Sequence, residues 1–246
     1  MSHWIIVPTY NERENIGPLV REIFQVLTGA KVLVVDDKSP DGTAGEVQSM
    51  QRSCPNLHLH VRARKMGLGS AYLEAFRKLL TTEKFETATT MDADFSHSPR
   101  YLPQMHALAA QYDVVIGSRY VDGGGTSGWS RKRQLLSLAG NNYARLIAGA
   151  AVKDLTSGFV TFRRTALEKL PLARIHSTGY AYTIESKCLA IFTGASVKEM
   201  PILFTERRRG SSKLSWSILV EAASSPWRVR SSRANKYSTV LATDQK

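Results

Sequence analysis

No stretch of this 246-residue sequence is long and apolar enough to span a bilayer: apolar runs such as 4–7, 32–35 and 114–116 fall far short of the roughly 20 residues a spanning helix needs. The start of the chain lacks the basic region, apolar stretch and small-residue cleavage site of a secretory signal, so a cytoplasmic protein is expected. Cysteine is scarce. Cys54 and Cys188 stand far apart without CxxC spacing, which excludes a disulfide framework and a cysteine zinc site and leaves two reduced, structural thiols. No GxGxxG follows the first apolar run, so the dinucleotide-binding fingerprint is absent, and the glycines Gly123, Gly124 and Gly125 read as a flexible flap. Internal repeats and long low-complexity segments are also missing. Acidic residues are outnumbered by basic ones, 21 to 33, and the net charge of +12 favours an acidic partner: nucleic acid, an anionic membrane surface or a phosphate-rich substrate.

What is present is an alternation of short apolar runs with helix-period segments. Residues 4–7 read as a strand that ends at Pro8. In 12–27 the residues Ile16, Leu19, Val20, Ile23, Phe24 and Leu27 recur at three- and four-residue steps, which predicts a helix covering a sheet. Strands follow at 31–35, 57–61, 88–91 and 114–116, with helices from Thr43 onward, along the stripe Leu68, Tyr72, Ala75, Phe76, Leu79 and Leu80, and around 101–110. Later segments read as a helix at 133–147, a strand at 155–163, a helix at 182–191 and a strand at 197–205. This order predicts an α/β fold with an open, mostly parallel twisted sheet and helices on both faces. The length suits one domain over residues 1–230, with residues 231–246 as a basic, mobile tail.

In such a sheet ligands gather beyond the carboxyl ends of the strands, and three acidic groups fall there: Glu12, Asp36-Asp37 and Asp92-Ala93-Asp94. Asp92 and Asp94 flank one small residue, so a turn can aim both at one crevice. That suits a hard cation, Mg2+ or Mn2+, which commonly takes one or two carboxylates and completes its shell with water and diphosphate oxygens. Taken alone, a DxD is as often a helix cap and a solvated turn residue. His97 beside it reads as a structural or supporting group rather than a ligand.

The ordered series PTYNERENI at 8–16, VVDDKSPDGT at 34–43 and MDADFSH at 91–97 carries more weight. Together with IGSRY at 116–120, DLTSGF at 154–159 and ERRRGSSK at 206–213, it closely resembles the dolichol-phosphate (polyprenol-phosphate) mannose synthases, which are family 2 glycosyltransferases of GT-A fold. The resemblance covers about residues 4 to 230. It implies an inverting transfer of mannose from GDP-mannose to a polyprenyl or dolichyl phosphate. It assigns Pro8, Tyr10, Glu12, Val35 and Asp37 to the nucleoside, and Asp92, Ala93 and Asp94 to donor and metal. Arg207 and Lys213 match the donor-binding pair. Arg119, Arg133 and Ser137 face phosphate or sugar, with Asp94, Arg119 and Arg133 as the catalytic set. Some relatives carry a glutamine metal ligand where this chain has Ser96.

The residue chemistry agrees with these roles. Tyr10 can stack on a base, and Glu12 and Asp37 can accept from base or ribose donors. The basic, glycine-containing run at 207–213 can close over a diphosphate, although a solvated or nucleic-acid-facing patch is the commoner use of such a run. Asp154, Thr156 and Ser157 suit a turn cap as well as a site, and Glu185 suits a buried hydrogen-bonding role. No nucleic acid partner is expected, because Asp37, Asp92 and Asp94 would repel its phosphates. A lipid acceptor implies peripheral binding on the cytoplasmic face of a membrane, where Leu214, Trp216, Ile218, Leu219 and Trp227 beside Arg228 and Arg230 can form an interfacial segment. The resemblance also allows a small membrane-anchoring subunit. A UDP-sugar transferase of the same fold and a non-catalytic nucleotide-binding protein are the alternatives.

Overall fold

The computed structural model describes residues 2–206, 221 and 223–231. Its elements run β1 (His3–Thr9), α1 (Arg13–Val26), β2 (Lys31–Asp36), α2 (Thr43–Gln51), β3 (Leu57–Val61), α3 (Leu68–Thr82), β4 (Thr87–Thr90), α4 (Leu102–Ala109), β5 (Val114–Ser118) and β6 (Gly125–Ser127). Then come α5 (Arg131–Ala148), β7 (Val160–Arg163), α6 (Arg164–Lys169), α7 (Tyr182–Phe192), β8 (Val197–Pro201) and β9 (Leu203–Thr205). A C-terminal helix is described at residues 221 and 223–231.

Seven strands form one sheet in the order β3-β2-β1-β4-β7-β5-β8. Every pairing is parallel except those of β7, which runs antiparallel to both neighbours. The expected open, mostly parallel sheet with helices on both faces is therefore observed. Side-chain alternation along β1 decides which core each residue joins. Ile5 and Val7 pack with Ile16, Leu19, Val20 and Ile23 of α1, Val47 of α2 and Met105 of α4. Trp4 and Ile6 point the other way, toward Tyr72 and Phe76 of α3, Leu167 of α6 and Cys188 of α7. The four α1 side chains are fully buried, and each such burial stabilises by about 2 kcal/mol.

Two expected strands are shorter than their apolar pattern. Within 155–163 only Val160–Arg163 is a strand, because the preceding loop spends its polar groups elsewhere: Ser157 Oγ donates to the Gly117 carbonyl at 2.6 Å. The run 197–205 breaks at Ile202, whose side chain turns inward and whose N–H reaches the Ser118 carbonyl at 3.0 Å. Beyond it β9 leaves the main sheet and pairs with β6, a three-residue strand inside the stretch read as a flap.

Strand order reverses about β1, which is flanked by β2 and β4. That opens a crevice over the carboxyl ends of β1, β2 and β4, where all three expected acidic groups emerge.

Candidate functional site

A cavity of about 510 Å³ occupies this crevice, a size suited to a small-molecule ligand. Pro8, Tyr10 and Glu12 from the end of β1, Asp37 after β2, and Asp92, Ala93 and Asp94 after β4 all line it. Val35 does not; its side chain is fully buried in the sheet core. Lys65, Leu68, Thr178, Gly179, Tyr180 and Glu221 complete much of the wall. Arg207 and Lys213 lie outside the described residues, as do Leu214, Trp216, Ile218 and Leu219 and nearly all of the expected tail.

The two acids after β2 have different work. Asp36 is fully buried and structural: it accepts from Thr9 Oγ1 at 2.8 Å and from Ser39 Oγ at 2.6 Å. Asp37 accepts from Arg62 at 2.6 Å and from the Met66 and Gly67 amides at 3.1 and 3.0 Å. Arg62 is itself 4% exposed, so the Asp37 charge is matched before any ligand arrives. Nothing local in the sequence marks this pair, which forms across 25 residues. Lys65 stands 4.0 Å over the Tyr10 ring, a cation–π contact also missed from sequence.

The DxD turn is held from several sides. Phe95 has φ +63°, a conformation costly for a bulky side chain and maintained only where the surroundings over-determine it. Asp94 Oδ1 accepts from Ser96 N at 3.1 Å and Ser96 Oγ at 2.6 Å, which commits the hydroxyl standing where some relatives place glutamine. Thr205 of β9 donates from its N–H to the Ser96 carbonyl at 3.3 Å and from Oγ1 to the Phe95 carbonyl at 3.0 Å. The Asp92 amide donates to Nδ1 of His97 at 3.1 Å. Burial lowers the His97 pKa to about 4, so the ring is neutral near pH 7, and its Nδ1 is the acceptor. Asp94 is buried, while the Asp92 side chain is 23% exposed toward the cavity.

This donor set fits a hard divalent cation. Two carboxylates emerge from one turn into a shared cavity, and among the described residues no group of three or more His, Cys, Asp or Glu is arranged to enclose an ion. A cation here would keep positions for water and for oxygens of a bound diphosphate, the manner in which Mg2+ is usually held.

Arg119 lines a second cavity of about 520 Å³ with Tyr120, Thr126, Trp129, Arg131, Leu135 and Leu138. Its guanidinium is held on one edge: Nε and one terminal nitrogen each reach Asp154 at 2.8 Å, and the same terminal nitrogen reaches Thr156 at 2.7 Å. Burial alone would raise the Asp154 carboxyl; the Arg119 hydrogen bond and charge overcome it and hold that pKa below the ordinary range. Arg133 lies 4.2 Å over the Trp129 ring and pairs with Glu206 at 2.9 Å, both side chains being exposed. Ser137 Oγ is 2.8 Å from the Tyr120 hydroxyl. Beneath this region Lys187, wholly buried on α7, donates to the Ser157 carbonyl, and burial lowers its pKa to about 7. One ring links the DxD turn to the second cavity: Phe204 lies 5.4 Å from His97 of that turn and 5.3 Å from Trp129 of the cavity wall.

Residues 4–171 match the profile of Glycosyl transferase family 2. The chain is 41% identical over 220 residues to a polyprenol monophosphomannose synthase of Mycolicibacterium smegmatis, covering 89% of this chain and 83% of that one. It is 37% identical over 217 residues to an undecaprenyl-phosphate mannosyltransferase of Micrococcus luteus, covering 88% and 89%. Among solved structures, the fold is similar to a Mycobacterium tuberculosis glucosyl-3-phosphoglycerate synthase in complex with Mn2+, UDP and glucosyl-3-phosphoglycerate, with TM-score 0.60, 17% identity, and 93% and 77% coverage. It is also similar to a Pyrobaculum calidifontis mannosyltransferase in complex with GDP-Man and Mn2+, with TM-score 0.56, 18% identity, and 98% and 75% coverage.

Proposed function

The chain belongs to glycosyl transferase family 2 and is a glycosyltransferase, and from that premise we propose that it transfers mannose from GDP-mannose to a polyprenyl or dolichyl phosphate, with inversion at the anomeric carbon. One observation carries this reading: the ends of β1, β2 and β4 bring Glu12, Asp37, Asp92 and Asp94 to one cavity, while an arginine- and tryptophan-lined cavity lies beside α5, so that each substrate has a site. The names of the relatives at 41% and 37% identity support the choice of sugar and lipid.

In this reading Pro8, Tyr10, Glu12 and Asp37 hold the nucleoside, with Val35 buried in the sheet behind them, while Asp92, Ala93 and Asp94 hold the diphosphate end. Asp92 and Asp94 would bind Mg2+ or Mn2+, which supplies positive charge to the departing diphosphate. The family resemblance gives Arg207 and Lys213, outside the described residues, a role at the same diphosphate. Arg133 and Ser137 hold the acceptor phosphate, and Arg119, fixed by Asp154, shapes that subsite and lends it a buried positive centre. The acceptor needs no strong base, because a phosphate monoester with second pKa of roughly 6 is already largely ionised near neutral pH. Its oxygen forms the new bond to C1 of mannose, the bond from C1 to the diphosphate breaks, and the electron pair leaves with GDP. Alignment and charge supply the catalysis.

A lipid acceptor requires a membrane surface. Among the described residues no helix is long and apolar enough to cross one. Instead α5 presents Leu135, Leu136 and Leu146 at 67%, 74% and 78% exposure, beside Arg131 and Lys132. Trp227 of the C-terminal helix, 53% exposed, hydrogen-bonds Tyr143 on that helix at 2.9 Å. Such a face suits the interface of an anionic leaflet on the cytoplasmic side. A small anchoring subunit would add a second attachment. Radiolabelled GDP-mannose incubated with the protein, a polyprenyl phosphate and Mn2+ should yield label extractable into organic solvent. Label from UDP-glucose but not from GDP-mannose would replace mannose by the alternative donor.

A further inference from the structure

The loop at residues 176–180, just before α7, has an unusual wiring. Its backbone N–H groups at His176 and Ser177 donate to Oε2 of Glu185 at 2.9 and 3.1 Å. The next two, at Thr178 and Gly179, donate to Oε1 of Glu221 at 2.9 and 3.4 Å. Two carboxylates thus capture four successive amides, one acid from α7 and the other from the C-terminal helix. Arg228, on the same C-terminal helix, closes the arrangement by donating to Glu185 Oε1 at 3.0 Å and to Ser177 Oγ at 2.8 Å.

From its other side the loop is pressed against the start of α3. The Gly69 amide donates to the Thr178 carbonyl at 2.7 Å. A β-carbon at Gly69 would lie 2.7 Å from the Ser177 carbonyl oxygen, and one at Gly67 would lie 2.5 Å from that of Thr178, so only glycine allows this approach. Gly67 is also where the chain donates to Asp37. Thr178, Gly179, Tyr180 and Glu221 all face the cavity that Asp37, Asp92 and Asp94 line. The C-terminal helix therefore meets the donor cavity both through Glu221 and through the short loop that Glu221 holds.

We propose that Glu221 and Arg228 are positioning residues: by clamping loop 176–180 they set the wall of the donor cavity, so that docking of the C-terminal helix governs nucleotide affinity. The proposal rests on the reading of this cavity as the nucleotide-sugar site. The clamp is electrostatic and directional, since a carboxylate bonded to two amides fixes both position and orientation of the loop. It also puts an exposed aromatic residue, Trp227, on the same helix as the clamp.

The test is calorimetric titration of GDP, and separately of UDP, in the presence of Mn2+, with melting temperatures recorded alongside. Glu221→Ala should weaken the nucleotide that binds by about tenfold while leaving the KM for polyprenyl phosphate unchanged. Gly179→Ala should do the same, because its β-carbon would lie 2.5 Å from Glu221 Oε2 and displace the carboxylate. The double variant should be no weaker than either single one, since both break one contact. Glu221→Gln, which keeps an acceptor oxygen, should recover part of the loss and decides the matter if Glu221→Ala melts early. Nucleotide affinity within about twofold of wild type in Glu221→Ala and Glu221→Gln, or losses that simply add in the double variant, would overturn the clamp. A wild-type protein binding UDP alone would overturn the GDP reading and leave the clamp to stand or fall on UDP; one binding neither would overturn both.

Discussion

The cavity over β1, β2 and β4 and the cavity beside α5 are built on opposite plans. In the first, acids arrive at the ends of adjacent parallel strands, so strand register brings Glu12, Asp37, Asp92 and Asp94 to one rim before side-chain partners such as Arg62 fix them. In and beside the second, cations are placed by pairs that are remote in sequence: Arg119 of the wall with Asp154, 35 residues on, and Arg133, stacked on Trp129 of the wall, with Glu206, 73 residues on. A sheet edge positions groups through the backbone, whereas the second cavity depends on side-chain pairs that a single substitution can undo.

The largest expected effect tests that dependence. Asp154→Ala leaves the Arg119 guanidinium, only 9% exposed, without its main partner, and removing one member of a buried pair costs about 3–5 kcal/mol. Urea unfolding should show this loss, while Asp92→Asn, at a side chain 23% exposed toward the cavity, should leave stability nearly unchanged. Equal stability losses in the two variants would erase the contrast between the cavities.

A middle-sized effect separates the substrates. Arg133→Ala should raise the KM for polyprenyl phosphate by about tenfold, the loss of one charge-assisted contact, and leave the KM for GDP-mannose within about twofold. Steady-state kinetics with each substrate varied in turn would show it; parallel changes in both constants would merge the two cavities into one subsite.

The smallest effect probes the scaffold that both cavities share. Burial lowers the His106 pKa to about 3, and His3 and His58 are lowered by the same cause. A histidine whose folded pKa lies below its unfolded value of about 6.5 contributes fully above that value and loses its contribution as pH falls through it. Unfolding free energy should therefore decline below pH of about 6.5 with a slope of at least one proton, and His106→Asn should reduce that slope. A flat profile between pH of about 6.5 and 5 would contradict the assignment.

The same contrast explains what the sequence made legible. The acids at 12, 37, 92 and 94 follow short apolar runs, and such a run followed by turn residues marks a strand end. Their cavity could accordingly be read from the chain. Arg119 could be picked out but not its state, because its partner Asp154, 35 residues on, reads from the sequence as a turn cap as readily as a site residue. Arg62 gave no signal, since an arginine after a strand looks solvated until Asp37 is seen beside it. The wall at Thr178 to Tyr180 and Glu221 was equally silent: backbone amides do the binding there, and side-chain chemistry does not announce them.

The central claim is that the strand-end carboxylates grip the donor through a shared divalent cation. Calorimetric titration of GDP with and without Mn2+, on wild type and on Asp94→Asn, tests it most directly. The account predicts that Mn2+ tightens GDP binding by about tenfold or more in wild type and has no effect in the variant, which keeps its fold. Metal-independent GDP binding by wild type, or an equal gain from Mn2+ in Asp94→Asn, would contradict it.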